Sequence, residues 1–277
     1  MKIVESIEAL EKHNIKDTAC KPILVFCSDL EFYYCKYNTG FSSADRLLRE
    51  YLSACFLEEW KLAVPDFAFI RIKKEHILSD LGIPFRYFDS LCFGSRKIEN
   101  AAEVTRFITE TNQYQKRKFI NLFDYLRIAL FDIWVANDDR NHNNYNLLIQ
   151  AEEGKYRFVP IDHEAVFNSG NIDKPLYTIS ENSSLITAPL CLRLFSAKEL
   201  SNKGRIDEMK DYFYLCVINC KQKLPQIINN VPEDWKINLA LSLSYLENHL
   251  FVKKWIDECW DTFVTYLQFT INKLSSA

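Results

Sequence analysis

Glycine is scarce in this 277-residue chain, with six residues in all. That scarcity matters because the glycine-rich loops that cradle nucleotide phosphates need backbone without side chains. Neither a Walker A loop nor a dinucleotide-binding fingerprint occurs, and no Gly-x-Ser-x-Gly elbow supports a serine hydrolase. Long apolar runs are missing as well. The best candidate, around Asp257 to Leu274, is interrupted by Asp261, Thr265 and Gln268, short of the roughly 18 apolar residues that a spanning helix requires. A net charge of −3 gives no bulk attraction for nucleic acid or anionic membrane. Cys-x-x-Cys pairs are absent, no histidine stands near Cys216 and Cys220, and the nine cysteines sit mostly inside apolar runs. This pattern argues against a zinc site or a disulfide framework. With an amino terminus that does not read as a signal peptide, a reducing cytoplasm is the expected setting, without membrane and without nucleic acid.

What is present is an ordinary globular composition, 48% apolar and 26% charged, enough for a substantial core. Pro22 to Cys27 and Phe32 to Tyr37 read as two strands joined by the turn Ser28-Asp-Leu-Glu31. A helix is expected from about Ser43 to Leu62, on the stripe Leu47, Leu48, Tyr51, Leu52, Cys55 and Phe56. Val64-Pro65 should end it, and Phe67 to Ile72 is a further strand. Residues 1–74 thus form a small α+β lobe, and residues 75–277 a larger, mostly helical one. In the larger lobe a loop-rich stretch carries Phe93-Gly-Ser95, and a core-facing helix is expected from Gln115 to Ala136. Two short strands follow, at Tyr145 to Ile149 and Tyr156 to Ile161. Helices are expected at Asp207 to Lys223 and along the stripe Val252, Ile256, Trp260, Phe263, Leu267, Ile271 and Leu274.

Chemistry concentrates at Asn137-Asp-Asp-Arg-Asn-His-Asn-Asn-Tyr-Asn146, where nine of ten residues are Asn, Asp, Arg or His. A buried helix delivers this cluster, and the chain returns at Phe158-Val-Pro-Ile-Asp162. Phosphoryl transfer calls for such parts, because the protein's task is positioning and charge stabilisation. An Asp accepts the proton of the attacking hydroxyl, an Asn five residues on binds metal, and a second Asp beyond a strand also holds Mg²⁺. Asp139, Asn144 and Asp162 meet that specification with oxygen ligands suited to a hard cation. Lys36, in the strand Tyr33-Tyr-Cys-Lys-Tyr37, is the candidate for the lysine that positions ATP phosphates. Glu50 on the following helix is its candidate partner, with Glu58 and Glu59 as alternatives. His163 reads as a structural hydrogen-bonding residue and not as a base.

The run Ile133 to Ile149, followed by Val159 to Phe167, resembles the HipA-like kinase family, relatives of bacterial serine/threonine kinase toxins with a protein-kinase and phosphatidylinositol-kinase-like fold. Lys21 to Val25, Tyr34-Cys-Lys36, Arg49 to Leu52 and Val64 to Asp66 look like the family's small lobe. Cys92 to Arg96 and Val231-Pro-Glu-Asp-Trp235 resemble further family segments. The resemblance implies a two-lobed α+β kinase fold and transfer of phosphate from ATP, with Mg²⁺, to a Ser or Thr hydroxyl of a protein. It implies Asp139 as the catalytic Asp and Arg140 as the residue that fixes the catalytic loop. Asn144 and Asp162 would be the metal ligands, and Lys36 would bind phosphate. The chain departs from the family in carrying Asn141 where a His often stands, and in the glycine-free segment Lys16 to Lys21. Two other readings stay open: a kinase for a small molecule or lipid headgroup, and a catalytically weak member that binds nucleotide or a partner.

Overall fold

A computed structural model describes residues 1–18, 20–40, 43–105, 116–170 and 174–276. The described chain divides into two compact units, each assembled from separate stretches. The first comprises residues 1–55, 65–99 and 226–238, the second residues 56–64, 100–225 and 239–277.

Alternating apolar residues build the first unit. Strand β1 (Ile3–Glu5) is followed by β2 (Ile23–Phe26) and β3 (Phe32–Lys36), which pair as a hairpin with Phe26 opposite Phe32. Leu30 closes the turn with a left-handed backbone, its N–H reaching the Cys27 carbonyl at 2.8 Å. Helix α1 (Ser43–Glu59) leads to β4 (Phe67–Arg71). Residues Cys92–Arg96, expected as loop, form strand β5. The sheet runs β1-β4-β5-β3-β2, with β1 parallel to β4 and the other pairs antiparallel. It curls until Ser6, just past β1, pairs with Cys27, just past β2. One face gathers Val4, Ile23, Val25, Tyr33, Cys35, Ile70 and Cys92 into a closed core. On the other, Phe69 meets Tyr51 of α1 and the indole of Trp235, both at 5.3 Å between ring centres. The Trp235 N–H donates to Leu91 O at 2.6 Å, and the Leu91 N–H donates to Asp234 at 3.0 Å.

The second unit carries a three-stranded antiparallel sheet of β6 (Ala101–Glu103), β7 (Leu147–Glu152) and β8 (Lys155–Pro160). Among the described residues its remaining elements are helices. The helix expected from Gln115 to Ala136 is α2, Asp124–Trp134; Gln115 lies outside the described residues. Asn121 starts it late: its side-chain oxygen accepts the Phe123 N–H at 3.2 Å and its amide donates to Asp124 at 2.8 Å. Phe119, ahead of the helix, instead stacks on Phe158 of β8 at 4.3 Å. After α3 (Pro189–Leu194) and α4 (Ala197–Leu200) comes α5 (Lys203–Asn229), longer than expected and containing Pro225, where the division between units falls. Helices α6 (Leu239–Tyr245) and α7 (Lys253–Ser276) complete the chain. Trp60, Trp134, Phe131 and Phe213 pack ring against ring at 5.2–5.8 Å in the core of this unit. The molecule is thus mixed α+β, with a curled sheet at its amino-terminal end and a mostly helical carboxyl-terminal part. Among the described residues no helix is long and apolar enough to cross a membrane. All nine cysteines are free thiols; burial pushes Cys27 up to about 12, so it stays protonated and inert.

Candidate active site

The residues singled out from the sequence fall into two groups, one in each unit. In the first unit, Lys36 ends β3 with its side chain on the face opposite Cys35, the consequence of the two-residue period of a strand. Its Nζ lies 2.5 Å from Oε1 of Glu50 on α1, with the two side chains 16% and 5% exposed. Of the three glutamates offered by the sequence, Glu50 is the partner that the geometry supplies. A carboxylate this deeply buried would be costly without its counter-charge.

The second group begins where α2 ends. Ala136 adopts a left-handed backbone and the Asn137 N–H reaches back to Asp132 O at 2.8 Å, a Schellman-type stop. The indole of Trp255 takes the Trp134 carbonyl at 3.0 Å, satisfying one of the orphan acceptors of the last turn. The chain then enters the polar loop, organised around two carboxylates. Asp132 is 1% exposed; its Oδ1 accepts from the Asn137 amide at 2.9 Å and from Arg140 Nε at 3.1 Å, while its Oδ2 lies 3.0 Å from the same Nε as an ion-pair contact. Burial pushes the Asp132 carboxyl up from its ordinary value, opposed by the charge of Arg140 and by both hydrogen bonds. The other carboxylate is the half-buried Asp139. Its Oδ2 accepts from the side-chain amides of Asn144 at 2.8 Å and Asn146 at 3.2 Å. With its N–H group committed to Asp139, the Asn144 amide keeps its oxygen, the one atom of that amide able to ligate a cation.

Arg140, fully buried, is the knot of the loop. Besides Asp132 it donates to the carbonyls of Tyr145, at 3.4 Å, and Asn146, and through Nη2 to His163 Nε2 at 2.8 Å. Asp162 follows β8 in a left-handed backbone, φ 59°, which Asp tolerates better than most residues. Glu164 brings a carboxylate oxygen within 4.8 Å of one on Asp162. Phe167, Asn168 and Ser169 then make a left-handed turn. It is held against the end of α2 by Phe167 N–H to Val135 O at 2.7 Å and Asn168 N–H to Ala136 O at 3.0 Å. Such runs cost roughly 1–2 kcal/mol per residue and persist only where the surroundings impose them.

The structure therefore brings Asp139 beside Asn144 and links Arg140 to the residue after Asp162. Asn144, Asp162 and the neighbouring Glu164 offer the oxygen donors that Mg²⁺ prefers. Sequence reasoning assigned no role to Asp132, Asn137, Asn146 or Glu164. Asn137 and Asn146 stood inside the polar cluster it singled out, and Asp132 left a signal as one acid inside the apolar run Ile128 to Trp134.

Comparison with known proteins adds the following. Residues 7–178 match the HipA-like kinase family. Among solved structures, the chain is similar to the proinflammatory kinase CtkA of Helicobacter pylori, at 13% identity over 99% of each chain, with a TM-score of 0.49. It is also similar to HipA of Shewanella oneidensis MR-1, solved with HipB and its operator DNA as a toxin–antitoxin system, at 11% identity and a TM-score of 0.39. That match covers 83% of this chain and 60% of the other. No curated protein matches.

Proposed function

The chain belongs to the HipA-like kinase family, and on that premise we propose that it transfers the γ-phosphoryl group of ATP, with Mg²⁺, to a serine or threonine hydroxyl of a protein. Asp139 is the base. Its carboxylate takes the hydroxyl proton as the acceptor oxygen bonds to the γ-phosphorus, while the bond to the β-phosphate oxygen breaks and its electron pair leaves with ADP. Asn144 and Asp162 hold Mg²⁺, which when bound offsets the charge developing on the phosphate oxygens. Lys36, oriented by Glu50, positions the phosphates. Arg140 holds the loop that carries Asp139.

The observation that carries this reading is the setting of Asp139. One of its oxygens is pinned by two side-chain amides, and the loop beneath it is tied to a buried guanidinium. A turn that served only to reverse the chain would not need a buried ion pair under it, since burying one rarely adds stability. The test is transfer from γ-labelled ATP with Mg²⁺, offered a protein mixture, small alcohols and lipid headgroups. Label on Ser or Thr of a protein, lost in Asp139→Asn, is the expected result. Label on a small molecule or lipid alone would replace the acceptor class. No transfer, with no ATP-induced rise in melting temperature, would overturn the activity.

A further inference from the structure

His163 stands directly after Asp162 and is 3% exposed. Its Nε2 lies 2.8 Å from Arg140 Nη2. A guanidinium carries donors only and keeps its charge in proteins. Nε2 must therefore be the acceptor, and the ring proton sits on Nδ1. The same guanidinium holds Asp132 through Nε and the Asn146 carbonyl through Nη1. Arg140 adjoins Asp139 in sequence as His163 adjoins Asp162. This one side-chain bond thus ties the base-bearing loop to the segment that carries Asp162, each tie one residue from the group that matters.

Backbone bonds secure the segment on either side. Ile161 N–H donates to Asn146 O at 3.0 Å before it, and Phe167 N–H to Val135 O at 2.7 Å after it. Between them Asp162 holds a left-handed backbone, and the Val166 N–H to His163 O contact is long, at 3.5 Å. The side chain of His163, through its bond to Arg140, is an anchor next to this left-handed residue.

We propose that His163 is a positioning residue: by accepting from Arg140 it holds the Asp162 carboxylate in the orientation that binds Mg²⁺, and so sets the metal requirement of the enzyme. This rests on Asp162 being a Mg²⁺ ligand in the kinase reading above. Residues that orient metal ligands typically alter metal affinity by about 10–100-fold when replaced.

The test compares His163→Leu, which fills the space without an acceptor, with His163→Gln, whose Oε1 extends about as far as Nε2. The readout is the Mg²⁺ concentration giving half of the Mg²⁺-dependent rise in melting temperature at fixed ATP, with the shift from ATP alone as control. His163→Leu should need about 10–100-fold more Mg²⁺ while keeping the shift from ATP alone. His163→Gln should stay within about threefold of the wild type, well inside that range. A leucine variant with the wild-type Mg²⁺ requirement, or a glutamine variant as impaired as the leucine one, overturns the role. If His163→Leu does not fold, His163→Asn, polar but too short for Arg140, takes its place with the same expectations. Should that fail too, the glutamine variant decides alone by the same threefold margin. A wild-type protein without any Mg²⁺-dependent ATP shift would instead refute the kinase reading itself, so the two failures are distinct.

Discussion

Asp162 combines an unusual backbone with an ordinary side chain, and the combination makes a clean test available. Asn tolerates the left-handed region as well as Asp does, so Asp162→Asn leaves φ 59° unstrained and removes only the charge. The expected result is an unchanged melting temperature without ligand and loss of the Mg²⁺-dependent shift with ATP; a variant that keeps the shift would show that Asp162 does not bind the metal. Lys36 calls for the opposite caution. Lys36→Met takes from the buried Glu50 the ammonium that pairs with it, and breaking a buried pair on one side can cost about 3–5 kcal/mol. The double variant Lys36→Met, Glu50→Gln restores neutrality and isolates the phosphate contact. Both variants should weaken ATP binding, and a double variant that binds ATP within about threefold of wild type, under 1 kcal/mol, would place Lys36 outside the nucleotide site. At this scale the sequence was most informative where partners are close together. Asp139 and Asn144 are five residues apart and their spacing is readable. The Arg140–His163 bond spans 23 residues, and no local pattern announces it.

Among the elements, α7 shows how far periodicity carries. The expected stripe ran through Val252, Ile256, Trp260, Phe263, Leu267, Ile271 and Leu274. The buried face is Trp255, Cys259, Trp260, Phe263, Leu267 and Thr270, the same helix turned slightly about its axis. Thr270 is fully buried because its hydroxyl reaches Ile186 O at 2.9 Å, a reason that apolarity does not encode. Trp260 belongs to both faces, stacking on Phe263 at 5.4 Å and Phe213 at 6.3 Å. Trp260→Ala should therefore destabilise by about 3–5 kcal/mol and lower the melting temperature by many degrees; a variant melting like wild type would contradict this packing. Strand β5 escaped the sequence for a different reason. A β-carbon on Gly94 would sit 2.5 Å from Ile70 Cγ1 on the neighbouring strand, so close packing demands glycine where a strand pattern demands a branched residue.

For the whole molecule, the mixed α+β class was legible because strands and amphipathic helices alternate at their own periods near the amino terminus and helices dominate afterwards. The composition of the first unit was not, since long-range packing leaves no period in the sequence. Residues 226–238 complete a unit that otherwise ends at residue 99, through Trp235 on Phe69 and on the Leu91 carbonyl 144 residues earlier. That arrangement governs how the protein is born. At about 5–20 residues per second, the ribosome needs roughly 7–30 s to travel from Leu91 to Trp235. Throughout that interval the Phe69 face of the sheet, already met by Tyr51 of α1, lacks the part of its cover that Trp235 supplies, the kind of exposed surface that invites misassociation or chaperone capture. Nascent chains arrested with residue 225 outside the ribosome should remain protease-sensitive within residues 1–99, and those exposing residue 240 should become resistant there. Equal resistance at both lengths would mean that the sheet matures without Trp235.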